Sequence, residues 1–224
     1  MNLKFEEFQK ENLVSKELDS IRKKKFKEFQ IKGFPTKKEE YWKYSDLRNI
    51  INDNFVNLEI FKNKEVDKFN KELLIKNFEH NKIILSNGSF VESSFEFEDK
   101  KKIKIKSLKN VLSTKEDFDK IKDYFNDNQN SMISLNHALV NDGIFLEVQD
   151  NYLFNKPLVI YNFFNKEVEN KIINNKIFIT IGTQSKLCLL DFYSCENKIK
   201  YFNNTIHNYN LKKNFLLKKF NINE

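Results

Sequence analysis

The chain has 224 residues, a 40% hydrophobic fraction with 23 Phe, and a 32% charged fraction, which is ample for a folded core and excludes bulk disorder. Its formal charge of +7 rests almost wholly on Lys, because Arg22 and Arg48 are the only arginines. Nucleic-acid binders also use Arg forks for phosphate and base edges, so the charge points to a biased composition and not to a nucleic-acid partner. No apolar run approaches the eighteen or so residues of a membrane span, and the first ten residues lack the apolar stretch of a signal peptide. Two cysteines, Cys188 and Cys195, make no disulfide framework, and a reducing cytoplasm is the expected location.

Residues 2–32 read as one long amphipathic helix, with Phe5, Phe8, Leu18, Ile21 and Phe29 at mostly helical intervals and Gly33 as its stop. Thr36-Lys37-Lys38-Glu39 has capping-box spacing and predicts a short second helix carrying Tyr41, Trp42 and Tyr44. Val66, Phe69, Leu73 and Leu74 predict an amphipathic helix over 64–78. The period then changes. Lys82–Leu85 and Phe90-Val91 flank Asn87-Gly88, a dipeptide suited to a tight hairpin turn. Ile103 and Ile105 continue a strand pattern. Ser113–Glu116 again has capping-box spacing before a helix through Phe118, Ile121 and Phe125, and a further helix covers about 131–141.

From Ile144 onward, strand-like runs follow one another: Ile144–Val148, Leu158–Phe164, Ile177–Ile181, Leu187–Tyr193, Thr205–Tyr209 and Phe215–Phe220. A shift of 28 positions lays Phe178 on Ile206, Ile181 on Tyr209, Leu187 on Phe215, Leu189 on Leu217 and Phe192 on Phe220. A weaker echo lays Leu158 on Leu187 and Ile160 on Leu189. Such a period marks stacked repeat units, here an all-strand solenoid whose coils bury their apolar faces against neighbours. The sequence therefore predicts an α+β helical region with a small hairpin over 1–142, then the start of a solenoid over 143–224 that stops without a recognisable cap.

Three blocks carry a family resemblance. The run Gly33-Phe34-Pro35-Thr36-Lys37-Lys38-Glu39-Glu40-Tyr41-Trp42-Lys43-Tyr44-Ser45-Asp46-Leu47 resembles the N-terminal signature of the SufD branch of the SufB/SufD family. Leu135-Asn136-His137-Ala138-Leu139 with Asp142-Gly143-Ile144-Phe145-Leu146 is similar to that family's Leu-Asn-x-Ala and Asp-Gly-x-x-Leu element. Lys156-Pro157-Leu158 resembles the family's entry into its sheet region. The resemblance implies a helical N-terminal domain followed by the first coils of a right-handed parallel β-helix. It also implies a non-catalytic scaffold of the SUF iron–sulfur cluster assembly complex, working with a SufB-like paralogue and a SufC-like ATPase. The cluster is formed transiently by the complete complex, and this stretch of chain is expected to bind no cofactor. The family's later coils and its ATPase-facing helical region have no counterpart here, so none of their residue roles carries over.

No catalytic, cofactor-binding or metal-binding residue is assigned. Trp42 reads as an anchor of the helical domain more than as a surface hot spot, and Glu39 as a cap with Glu40 solvated. Cys188 and Cys195 match no cluster-ligand spacing, His80, His137 and His207 are scattered, and the single glycines form no phosphate loop. A carbohydrate-acting solenoid needs carboxylates grouped on one face, whereas Asp191 stands alone in its strand and Glu147 is in another. The main rival reading is a solenoid module that binds a polyanionic or protein partner.

Overall fold

The computed structural model describes residues 3–11, 14–62, 71–127, 130–196 and 198–223. Two helices, α1 (Phe5–Glu11) and α2 (Lys16–Lys32), stand where one was expected. The break falls at Ser15, whose hydroxyl accepts from the Leu18 amide at 3.2 Å and so caps α2. Gly33, at φ 71°, ends α2 and returns its N–H to the Phe29 carbonyl at 2.6 Å. The capping-box run nucleates only a 3-10 turn, Glu40–Trp42. A helix the sequence reading missed, α3 (Leu47–Asn54), follows at once, capped by Asp46, which accepts from the Asn49 amide at 3.0 Å.

Of the helix expected over 64–78, residues 64–70 lie outside the described residues. The remainder is a 3-10 turn, Lys71–Leu73, followed by non-helical chain. Asn77 takes a left-handed φ of 58°, and the Ile75 amide donates to the Tyr161 hydroxyl at 3.2 Å instead of to a helical carbonyl. The helix expected after Ser113 is also divided, into α5 (Lys115–Phe118) and a 3-10 turn, Lys122–Asn126, and an unexpected helix, α4 (Leu108–Ser113), precedes it. Ser107 caps α4, whereas the Thr114 hydroxyl turns to the Asp117 carboxylate and caps no amide. The last helix, α6 (Ser131–Leu139), forms as the sequence predicts, capped by Asn130.

Ten strands complete the chain: β1 (Glu59–Ile60), β2 (Asn81–Ser86), β3 (Ser89–Ser94), β4 (Ile103–Ser107), β5 (Asp142–Val148), β6 (Leu158–Phe164), β7 (Lys171–Ile181), β8 (Lys186–Cys195), β9 (Phe202–Leu211) and β10 (Leu216–Asn223). They make two five-stranded sheets. The first runs β1-β7-β5-β4, with β9 on the other edge of β7, and the second runs β10-β8-β6-β2-β3. From β5 to β10 successive strands alternate between the sheets, and each pairs in parallel with the strand two ahead. The hairpin β2–β3 turns at Asn87 and Gly88, both at positive φ, as the Asn-Gly signal predicts. It is no isolated hairpin, because β2 pairs in parallel with β6.

The repeat is real, but its offset differs from the one read in the sequence. Leu187 faces Leu217 and Phe178 faces Asn208, an offset of 30 in place of 28. Leu158 faces Leu189, where the weaker echo put Leu187. Both slips are two residues, which leaves every side chain on its original face, so alternation alone cannot tell the two registers apart.

Ile144, Leu146, Ile177, Ile179, Leu187 and Leu189 fill the space between the sheets. Phe145 and Phe178 point to the other face of the first sheet and pack with Leu18, Val111, Phe118 and Phe125. α2 and α6 lie against each other there, with Phe26, Phe29, Leu135 and Leu139 packed around Ile172 of β7.

Candidate functional site

The inward faces of the last three strands carry a polar cluster where the preceding strands carry aliphatics. Leu187 and Leu189 of β8 belong to the inter-sheet core, so alternation turns Asp191 the same way. On β9, Tyr209 and Leu211 pack against that core and His207 shares their face; on β10, Leu217 packs against it and Lys219 shares its face. Asp191 is fully buried, and Lys219 Nζ lies 2.7 Å from its Oδ2. His207 Nδ1 stands 3.8 Å from the same oxygen, 3.4 Å from Lys219 Nζ and 3.2 Å from the Tyr209 hydroxyl.

The charges in this cluster balance. Burial pulls His207 down to about 4, with Asp191 opposing and Lys219 assisting, so His207 is neutral at pH 7. Burial works against the Lys219 ammonium too, but its hydrogen bond and attraction to Asp191 leave it raised. Burial pushes the Tyr193 and Tyr209 phenols upward, so both stay protonated. One carboxylate and one ammonium thus meet diagonally between β8 and β10, bracketed by neutral hydroxyl and imidazole groups. The buried carboxylate needs a cation within reach, and Lys219, which stands opposite Leu189 on the ladder, reaches along the sheet face to supply it.

Asp191 is the lone carboxylate of β8, as its sequence shows, and its neighbours on β9 and β10 are an imidazole and an ammonium. Glu147 is elsewhere and pairs with Lys104 at 3.6 Å. The signal was present as polar residues at the inward parity of three strands, but it becomes legible only once the parallel pairing is known.

A second cluster lies beneath α6. Lys176 of β7 is fully buried, its ammonium over the Phe125 and Phe178 rings at 5.1 and 5.8 Å, and its Nζ has no hydrogen-bond partner among the described residues. Burial lowers it to about 7, with Asp127 opposing and Lys25 assisting. Neighbouring His137 is also buried. Burial, then Lys176 and Lys25, hold it down to about 2, so it packs as a neutral ring beside Phe125.

The remaining residues weighed from the sequence are dispersed. Trp42 is half-buried against the helical core, and the Glu39 carboxylate accepts from the Thr36 amide at 3.3 Å, the return half of a capping box. Glu40 is exposed. His80 hydrogen-bonds Phe78 O at 2.6 Å and the Tyr161 hydroxyl at 2.7 Å, which places it in a local chain far from His137 and His207 in sequence. Cys188 and Cys195 are free thiols, and strand alternation puts them on opposite faces of β8. Among the described residues, no three His, Cys, Asp or Glu side chains gather as a metal set. Among them also, no helix is long and apolar enough to cross a membrane.

The blocks singled out in the sequence hold the fold's junctions. Asn136 of α6 donates from Nδ2 to the carbonyls of Asn175 on β7 and Asn204 on β9, tying the helix to two strands. Asp142 accepts from the Lys109 amide at the start of α4 and from the Phe90 amide on β3. Burial raises it to about 6 against those hydrogen bonds. Gly143, at φ 140°, lets β5 approach β7 so closely that a Cβ there would lie 1.9 Å from the Lys176 carbonyl oxygen. Pro157 O accepts from the Asn81 amide as β6 meets β2.

A mixed α/β architecture with parallel ladders, its junctions built from these blocks, defines the class. The family described as SufBD protein N-terminal region matches residues 5–160. The chain belongs to the SufB/SufD family, and so to proteins associated with SUF iron–sulfur cluster assembly. No curated protein matches the chain.

Proposed function

We propose that the chain is a SufD-type, non-catalytic scaffold subunit of the SUF iron–sulfur cluster assembly complex. The observation that carries this reading is the family match over residues 5–160. The SufD assignment within the family rests on the run from Gly33 to Leu47, with its Pro35, Glu39, Trp42 and Tyr44. The parallel ladders β6-β8-β10 and β5-β7-β9 support reading the strand region as the first turns of a right-handed parallel β-helix. In this role the iron–sulfur cluster is cargo built on the assembled complex, ATP hydrolysis belongs to a SufC-type subunit, and a SufB-type paralogue shares the platform. A reducing cytoplasm suits both the cargo and the two free thiols.

Co-expression of the whole reading frame with the SufB-type and SufC-type proteins of the same genome tests the proposal. An affinity tag on this protein should recover both partners, and the protein alone should hydrolyse no ATP. Recovery of the SufB-type and SufC-type proteins with each other, but without this protein, overturns the scaffold reading. ATP turnover by the purified protein alone overturns the non-catalytic part of it.

A further inference from the structure

A cleft of about 470 Å³ runs between the C-terminal end of α2 and the helix α3, a volume in the range that small ligands fill. Its apolar part is aromatic. Phe26, Phe29 and Phe34 border it with Leu3, and all four belong to the helical core. The Phe29 and Phe34 rings meet edge to face at 5.2 Å, and Phe26 lies 6.3 Å from Phe29, so the rings form a continuous wall. The polar part comes from the same helices. Gln30 stands one turn after Phe26 on α2, and Asn52 one turn after Arg48 on α3, so each pair shares a helix face. A Cβ at Gly33 would come within 3.1 Å of Arg48 Nη2, so the glycine lets the guanidinium lie against the chain.

Arg48 carries the only charge in this lining. It is also the one exposed arginine, since Arg22 is buried and donates to Val140 O. A single side-chain contact, Nη2 to Lys32 O at 3.2 Å, holds the guanidinium at the end of α2. Its other N–H groups have no partner among the described residues, and no described carboxylate pairs with it. Asp46, the nearest acid in sequence, accepts from the Asn49 amide. A guanidinium with a free fork selects a planar oxyanion, and the aromatic wall beside it selects an apolar body. A phosphate carries nearly two charges at neutral pH, and the lining offers one cation. Peptide main chain also fits poorly, because the amides at Gly33 and Arg48 already donate to Phe29 O and Pro35 O.

We propose that this cleft binds a small monocarboxylate with an apolar body, an alkyl or aryl acid. The carboxylate pairs with the Arg48 fork between the Gln30 and Asn52 amides, and the body lies against Phe26, Phe29 and Phe34. Because Arg48 is exposed, the ion pair contributes modestly and the aromatic wall carries most of the affinity. The site shares no residue with either polar cluster and does not depend on the scaffold reading.

Calorimetric titration of the full chain with 4-phenylbutyrate, and with the matching amide, tests it. The acid should bind with a Kd of about 1 mM or below, and the amide about fivefold more weakly. Arg48→Gln should remove that preference. Asn52→Trp, which fills the cleft from an exposed position, should abolish binding of both. Unchanged circular dichroism and melting temperature confirm that the variants are folded. No binding of the acid at about 10 mM, equal affinity for acid and amide, or binding that survives Asn52→Trp overturns the proposal. So does a preference for the acid that persists in Arg48→Gln. Phenyl phosphate and the peptide acid acetyl-Gly-Phe represent the other occupants. Either one binding about tenfold more tightly than 4-phenylbutyrate assigns the cleft to a phosphate or to a polypeptide terminus, and likewise overturns the proposal.

Discussion

At the scale of single residues, two buried ionisable side chains, Asp191 and Lys176, have testable consequences. Asp191 is tolerated because Lys219 Nζ stands 2.7 Å from its carboxylate. Removing one partner leaves the other charge stranded, whereas removing both leaves only a space to fill. Lys219→Met should therefore cost about 3 kcal/mol in denaturant unfolding, and Asp191→Leu/Lys219→Met should recover most of it. A double variant no more stable than the single one would show that the pair is incidental. Lys176 lacks such a carboxylate partner and responds to pH. Its amine is lowered to about 7 in the folded chain against 10.5 for the ordinary value. Between those limits the unfolded chain holds a proton that the native chain has shed, so stability rises with pH by at most about 1.4 kcal/mol per unit. Below about pH 7 both states are protonated and this dependence disappears. Urea midpoints measured from pH 7 to 9.5 should climb for the parent protein and flatten in Lys176→Met. Equal slopes in the two would refute the assignment.

At the scale of elements, the strands show why sequence reads some features well and others badly. The sequence bounds β6 to the residue and places β5, β8, β9 and β10 within a few, because alternating apolar side chains report a strand directly. It misses the first half of β7, where Asn174, Asn175 and Lys176 interrupt the apolar pattern. The helices were harder. Ser15 reads as an ordinary polar residue on a helix face until its hydroxyl is seen capping α2, and Asp46 hid α3 in the same way. The offset of the repeat was misjudged by two residues because period-2 alternation is blind to an even slip. What sets the register lies elsewhere, in close backbone contacts such as that of Gly143 with the Lys176 carbonyl. The prediction here concerns Gly143, where β5 passes over the Lys176 carbonyl at a φ of 140°. Gly143→Ala must distort either that backbone or its partner, at a cost on the order of 3 kcal/mol. The same change at an exposed position should cost far less. A melting temperature within a degree of the parent would mean that the approach of β5 to β7 can relax.

At the scale of the whole molecule, composition divides the chain near residue 142, yet the strand pairing crosses that line three times. β1 pairs with β7, β2 with β6, and β4 with β5, so both sheets take strands from each side of it. α2 and α6 then clamp onto the face of the first sheet through Ile172, Phe145 and Phe178. Neither half of the sequence can bury its apolar face without the other, because the inter-sheet core draws Ile83 and Leu85 from β2 together with Ile177 and Leu189. Cooperative unfolding follows from shared burial of this kind. Calorimetry should therefore show a single transition, with calorimetric and van't Hoff enthalpies in agreement. Tryptophan fluorescence, which reports Trp42 in the helical region, should melt together with the far-ultraviolet strand signal. Two resolved transitions, with Trp42 released first, would mean that the crossing pairs β1–β7, β2–β6 and β4–β5 contribute too little to couple the helical region to the sheets.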